Sequence, residues 1–96
     1  MRPRHLLKIW ETFFQDVING IKTFEYRKDD REYAVGDTIE LREWNPRQEC
    51  YTGRTFDVEI AYILAGPLCG IPKGYCVMSI RPILRPEFDE ELSGQE

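Results

Sequence analysis

The sequence predicts an α+β domain: a small β-barrel of about five or six strands with one main N-terminal helix. Three observations predict it. One stretch near the start carries apolar residues at helical spacing, the runs that follow are short and apolar or alternating, and turn-forming residues separate those runs. The 96 residues give one domain a core without disulfides or a structural metal, and leave no room for a second domain.

The elements follow in order. His5 to Ile9 is a short apolar run suited to a first strand, and Trp10, Phe13, Phe14, Val17 and Ile18 then fall at helical spacing. Asn19-Gly20 ends that helix, because glycine accepts the left-handed conformation of a helix stop. Lys22 to Lys28 alternates as a half-buried strand, with Phe24 and Tyr26 expected on the core face and Thr23, Glu25 and Arg27 on the other. Asp29 to Arg31 is a polar loop, and Val35-Gly36-Asp37 turns the chain into Thr38 to Trp44, with Ile39 and Leu41 inward. A loop from Asn45 to Gly53 leads to Arg54–Leu64, where Phe56, Val58, Ile60, Tyr62 and Leu64 share a face, and these two strands suit a hairpin. Gly66-Pro67, Gly70, Pro72 and Gly74 interrupt the chain before Tyr75 to Ile80, a nearly all-apolar strand expected inside the sheet.

The net charge of −4 argues at first against nucleic acid, since phosphate binding calls for a basic surface. Its distribution changes the reading. Residues 87 to 96 hold five acids and no lysine or arginine, so residues 1 to 86 carry thirteen basic and twelve acidic side chains. The domain is therefore read as residues 1–85 and the acidic stretch 86–96 as a flexible tail.

Cys50, Cys69 and Cys76 form no close pair, and His5 is the one histidine, so neither a disulfide framework nor a zinc site is expected. The three thiols are read as reduced packing residues, and His5 as packing or exposed. No metal and no cofactor are expected. No apolar run approaches the ~20 residues of a membrane span, and Met1 to His5 lacks the apolar stretch of a secretory signal. A cytoplasmic location away from the membrane is the expectation.

The segment Gly20-Ile-Lys-Thr-Phe-Glu-Tyr-Arg27 carries the chemistry. Arg27 offers a planar fork to phosphate or a base edge, Glu25 can accept from an exocyclic amino group, and Lys22 is a point charge for phosphate. On spacing alone, the simpler account of Glu25 and Arg27 is an exposed ion pair on a sheet surface, of small energetic consequence.

Gly20, Lys22, Glu25 and Arg27 match a G-x-K-x-x-E-x-R pattern placed after a helix, and in this the chain resembles the ASCH superfamily. Further segments resemble a bacterial and phage branch of it: Phe24 to Arg31, Tyr33 to Asp37, Leu41 to Trp44, Tyr51 to Arg54 and Gly74-Tyr75, so that the similarity spans residues 5 to 81. The resemblance implies a PUA-like barrel and a cleft beside the first helix, lined by Lys22, Glu25 and Arg27, that binds RNA or a nucleotide-like ligand. Thr23, Lys28, Arg31 and Arg42 extend the expected contact surface, and Trp44 or Tyr51 can stack on an unpaired base.

Catalysis stays open. Some ASCH relatives are amidohydrolases acting on acylated cytidine with a lysine, a threonine nucleophile and a later glutamate; here Glu25 occupies the threonine's position, and Thr23 is one residue after the lysine rather than three. A ribonuclease-like role would use Lys22 or Arg27 on the phosphate and Glu25 as base. A third reading is a protein-interaction module. The sequence carries no sign of the oligomeric state.

Overall fold

The computed structural model describes residues 3–83. The acidic tail expected from residue 86 lies outside the described residues. Five strands and one helix run in the order β1 (Arg4–Trp10), α1 (Glu11–Ile18), β2 (Phe24–Lys28), β3 (Thr38–Asn45), β4 (Cys50–Ala65) and β5 (Tyr75–Pro82). They form one sheet in the order β1-β3-β4-β5-β2, with β1 parallel to β3 and the other neighbours antiparallel. The sheet curls into a half-barrel whose end strands, β1 and β2, face each other across an open seam.

Alternation builds the core. His5, Leu7 and Ile9 point inward from β1, Ile39 and Leu41 from β3, Val58 and Ile60 from β4, and Cys76, Met78 and Ile80 from β5. Phe14 and Val17 of α1 close one end of this stack. The helix is eight residues long, and an amphipathic stripe on so short a helix buries two or three side chains. Phe13, expected in the core, is therefore 46% exposed, and Trp10 is 52% exposed at the strand–helix junction instead of lying in the helix.

The helix stop is as the sequence indicates. Gly20 takes φ +76°, its N–H donates to Val17 O at 3.1 Å, and Ile21 N–H donates to Asp16 O at 2.9 Å. Both bonds together make the Schellman motif, which satisfies carbonyls at the helix end and turns the chain toward β2. The expected turn at Val35-Gly36-Asp37 is also present, with Gly36 at φ +96° and Asp37 N–H donating to Ala34 O.

Three strand expectations are corrected. β4 begins at Cys50 rather than Arg54, so much of the expected loop is strand, and the β3–β4 hairpin is longer than the alternation alone implied. A bulge between Ile60 and Tyr62 shifts the side-chain phase: Tyr62 is 65% exposed and Ile63 packs on the core in its place. One extra residue is enough to send the following side chains to opposite faces.

On β2 the faces are reversed. Phe24 and Tyr26 are each 49% exposed, whereas Glu25 is buried. The reason lies at the seam: β2 pairs with β5, and its other side meets β1 carbonyls that require donors, so a charged pair lies inward and the aromatics cover the outside. Tyr26 stacks there on Tyr75 at 5.6 Å between ring centroids.

Gly66 is required by close approach rather than by φ. A Cβ at this position would sit 2.0 Å from Pro72 O, so the β4–β5 connection admits no side chain there.

Candidate functional site

The candidate site is the seam itself. Strand geometry turns the carbonyls of Leu6 and Lys8 away from β3 and toward β2, where no ladder of backbone bonds forms. Arginine side chains take that role. Arg27 donates through Nη2 to Lys8 O, and Arg31 donates through Nη1 to Leu6 O at 2.9 Å. The two guanidinium groups strap β1 to β2 and to the loop that follows it, and leave the helix-proximal part of the seam as an open cleft of about 490 Å³.

Lys8, Ile9 and Trp10 of β1, Phe13 of α1, and Lys22, Phe24, Glu25, Tyr26 and Arg27 line this cleft. The Schellman turn delivers Lys22 to its rim, and Lys22 N–H donates to Asp16 O at 3.0 Å, which fixes the residue's backbone. At the floor, Glu25 accepts from Lys22 Nζ at 3.0 Å through Oε1 and from Arg27 Nε at 2.5 Å through Oε2. Lys22 Nζ also donates to Phe24 O at 2.6 Å and lies 4.7 Å from the centroid of the Phe24 ring.

Burial changes the meaning of that ion pair. The Glu25 side chain is 7% exposed, against 16% for Lys22 and 25% for Arg27. The exposed pair expected on spacing alone is thus a buried carboxylate holding two cations whose outer edges face the cleft. One negative charge against two positive ones leaves a local excess of +1, and Lys8 on the opposite wall adds to it.

The other expected contact residues divide. Thr23, just before β2, and Lys28, its last residue, are exposed and do not line the cleft; Thr23 O accepts Ile80 N–H, a structural role. Arg31 serves as the second strap. Arg42 and Trp44 lie on the outer face of β3, with Arg42 bonded to Glu40 Oε2 at 2.8 Å and Trp44 packed edge-on against Tyr51. The structure therefore brings Lys22, Glu25 and Arg27 together and leaves Thr23, Lys28, Arg42 and Trp44 outside their cleft.

Sequence reasoning missed Lys8, Trp10, Phe13, Phe24 and Tyr26 as cleft residues. A signal existed for two of them. Five apolar residues on and beside a short helix exceed what one stripe can bury, so some of Trp10, Phe13, Phe14, Val17 and Ile18 had to face solvent.

A second polar cluster closes the far end of the half-barrel. His5 Nε2 and Asp37 Oδ2 lie 2.9 Å apart in a buried hydrogen bond, Asp37 Oδ2 also accepts Ala34 N–H, and Tyr33 meets the His5 ring edge-on. Asp37 Oδ1 has no hydrogen-bond partner among the described residues. Burial pushes the Tyr33 phenol and the neighbouring Cys76 thiol up from their ordinary values. His5 is thus buried, and of the three cysteines only Cys76 packs: Cys50 and Cys69 are exposed, and all three are free thiols. The expectation that all three cysteines pack is corrected, since Cys50 at the exposed start of β4 and Cys69 in the β4–β5 connection meet no core.

Among the described residues no group of three or more His, Cys, Asp and Glu side chains gathers as a metal site, and no helix is long and apolar enough to cross a membrane.

A family model described as "Domain of unknown function (DUF3850)" matches residues 4–80. The chain belongs to this family. The DUF3850 match takes in all the residues of the seam, from Lys8 to Arg31. The chain is also 41% identical over 60 residues to a protein of Escherichia phage P2 called "Uncharacterized 12.9 kDa protein in GpA 3'region". That similarity takes in 62% of this chain and 53% of the phage protein, so the chain spans about half the length of that relative.

Proposed function

We propose that this DUF3850 half-barrel is an ASCH-type, PUA-like module that binds RNA or a nucleotide-like ligand in the β1–β2 seam. One observation carries the reading: Lys22 and Arg27, held in place by buried Glu25, share an open cleft with the exposed rings of Trp10, Phe13, Phe24 and Tyr26. Ordered cations beside exposed aromatics suit a ligand with both phosphate and a flat ring. The G-x-K-x-x-E-x-R resemblance supports the same cleft.

Binding is favoured over catalysis because both Glu25 oxygens are engaged by cations, which makes the carboxylate a positioning group rather than an idle proton acceptor. Free thiols and an RNA ligand fit a cytoplasmic setting.

The test is titration of the labelled protein with cytidine monophosphate and short single-stranded RNAs at low salt, read by NMR. Resonances of Lys22, Glu25 and Arg27 shift on binding, and Lys22→Ala weakens affinity about tenfold or more, the size expected for a charged contact. Binding unchanged in both Lys22→Ala and Arg27→Ala, with both variants folded, overturns the reading. A new product in the titration transfers it to an enzyme.

A further inference from the structure

The seam cleft does not end at β1. Side chains directly opposite one another on neighbouring strands share a face, and the register places Trp10 opposite Trp44 and Trp44 opposite Tyr51 on the outside of β1, β3 and β4. The next row on the same face is Lys8, Arg42 and Thr55. Three aromatic rings thus cross the sheet with two cations alongside.

This row is solvent-facing: Trp10 is 52% and Tyr51 51% exposed. Its members are also coupled. Lys8 Nζ sits 3.9 Å from the Trp44 ring centroid, and the Trp44 and Tyr51 rings meet edge-on at 5.0 Å. Lys8 and Trp10 line the seam cleft at one end, and at the other end Tyr51 opens onto a second hollow of about 310 Å³, lined with Glu40, Arg42, Gly53, Arg54 and Thr55. Glu40 is neutralised by Arg4 and Arg42 together, whereas the Arg54 guanidinium turns to the inner face, pairing with buried Glu43 at 3.7 Å and lying over the Phe14 ring, so it is not part of the row.

We infer that the two hollows and the aromatic row between them form one continuous track for a single-stranded oligonucleotide, so that the ligand is several nucleotides long rather than a mononucleotide. This rests on the seam reading for one end of the track. Strands lie ~4.8 Å apart, which puts the three rings across a distance comparable with successive unstacked bases. Lys8 is the movable element: swinging off Trp44 uncovers a ring face for a base and frees an ammonium for the phosphate beside it. An aromatic row serves any base, so the track is sequence-tolerant, while the Glu25 floor of the seam supplies whatever base preference exists.

The charge count limits salt dependence. Lys8 on the row and Lys22 and Arg27 in the seam neutralise up to three phosphates, for a slope of log affinity against log salt of about −2 on a single strand.

The experiment compares cytidine monophosphate with two-, four- and eight-nucleotide single strands of RNA and DNA, read by calorimetry and intrinsic fluorescence. Trp10 and Trp44 are the chain's two tryptophans, so stacking on the track quenches most of the signal directly. Affinity rises with length up to about four or more nucleotides, and Tyr51→Leu weakens the eight-mer about tenfold while leaving the mononucleotide unchanged. Tyr51→Phe keeps the ring and retains the affinity. Equal affinity for mononucleotide and eight-mer, both lost in Lys22→Ala, overturns the track and leaves the seam reading standing. Length-dependent binding that needs Tyr51 but ignores Lys22 and Arg27 supports the sheet row while removing the seam from it. No binding by any strand at low salt overturns both.

Discussion

The two ends of the half-barrel each bury a carboxylate, and they use it in opposite ways. At the far end Asp37 is fully buried, bonded to His5 and to the Ala34 N–H, with Tyr33 packed against the histidine ring. At the helix end Glu25 is nearly as buried, yet both of its partners reach solvent along the cleft. One acid ties strand to turn, and the other holds two cations toward the space where a ligand would sit. Burial of a charged group is therefore a poor guide to function by itself; what matters is which way its partners face.

The largest effect expected from this contrast is on stability at the closed end. Asp37→Ala removes an acceptor shared by buried His5 and the Ala34 N–H and leaves the buried imidazole without its partner, a loss of about 3 kcal/mol. Urea unfolding measures it. Ligand binding in the seam is expected to survive in whatever fraction remains folded, and a simultaneous loss of binding in fully folded protein would mean that the two ends are coupled.

Next in size is the chemical protection of the closed end. Cys76 is fully buried and burial raises its thiol pKa, whereas Cys50 and Cys69 lie exposed on the surface. Alkylation followed by mass spectrometry should show Cys76 reacting at least about a hundredfold more slowly than the other two, at a rate set by opening of the fold. Comparable rates at all three positions would mean that this end opens readily.

These assignments were unevenly legible. Gly20 and Gly36 could be read because a positive φ has a residue signature that acts locally, and Ile39 and Leu41 because both sides of their strand agree in period. Phe24 and Tyr26 could not. Alternation shows that two faces differ, not which one is inward, and the deciding contact is Arg27 with the Lys8 carbonyl nineteen residues earlier. His5 with Asp37, thirty-two residues apart, is the same kind of long-range pairing. The bulge after Ile60 escapes for another reason: a one-residue slip leaves an apolar run apolar and changes only which member of it turns inward. Within the candidate site, Lys22, Glu25 and Arg27 were readable as a pattern, while the aromatic walls depended on how little a two-turn helix can cover.

A smaller effect than either closed-end change is expected from the seam. Glu25→Ala leaves Lys22 and Arg27 without their shared carboxylate, but both border water and each keeps a backbone acceptor, Phe24 O for Lys22 and Lys8 O for Arg27. A stability loss of about 1 to 2 kcal/mol in the same urea experiment follows. A loss as large as that of Asp37→Ala would show that the seam is held mainly by its ion triad, and that the cleft serves the fold before any ligand.

The smallest effect belongs to Glu40, which repeats the two-cation arrangement of Glu25 on the outer face of β3. Hydrogen bonds from Arg4 and Arg42 hold its carboxyl below the ordinary carboxylate value. Because the folded value is the lower one, its contribution is complete above the ordinary carboxylate range and disappears as pH falls through that range toward the folded value. Glu40→Gln should therefore flatten the acid side of a plot of Tm against pH, below about pH 5, by no more than a degree or two, and leave neutral pH nearly unchanged. Glu25 and Glu40 each hold two cations, a lysine and an arginine for Glu25 and two arginines for Glu40, so the ratio of the two effects reports mainly on burial. If removing Glu40 costs as much as removing Glu25, the depth of the seam contributes nothing, and the triad at its floor is an ordinary surface network that happens to border a cleft.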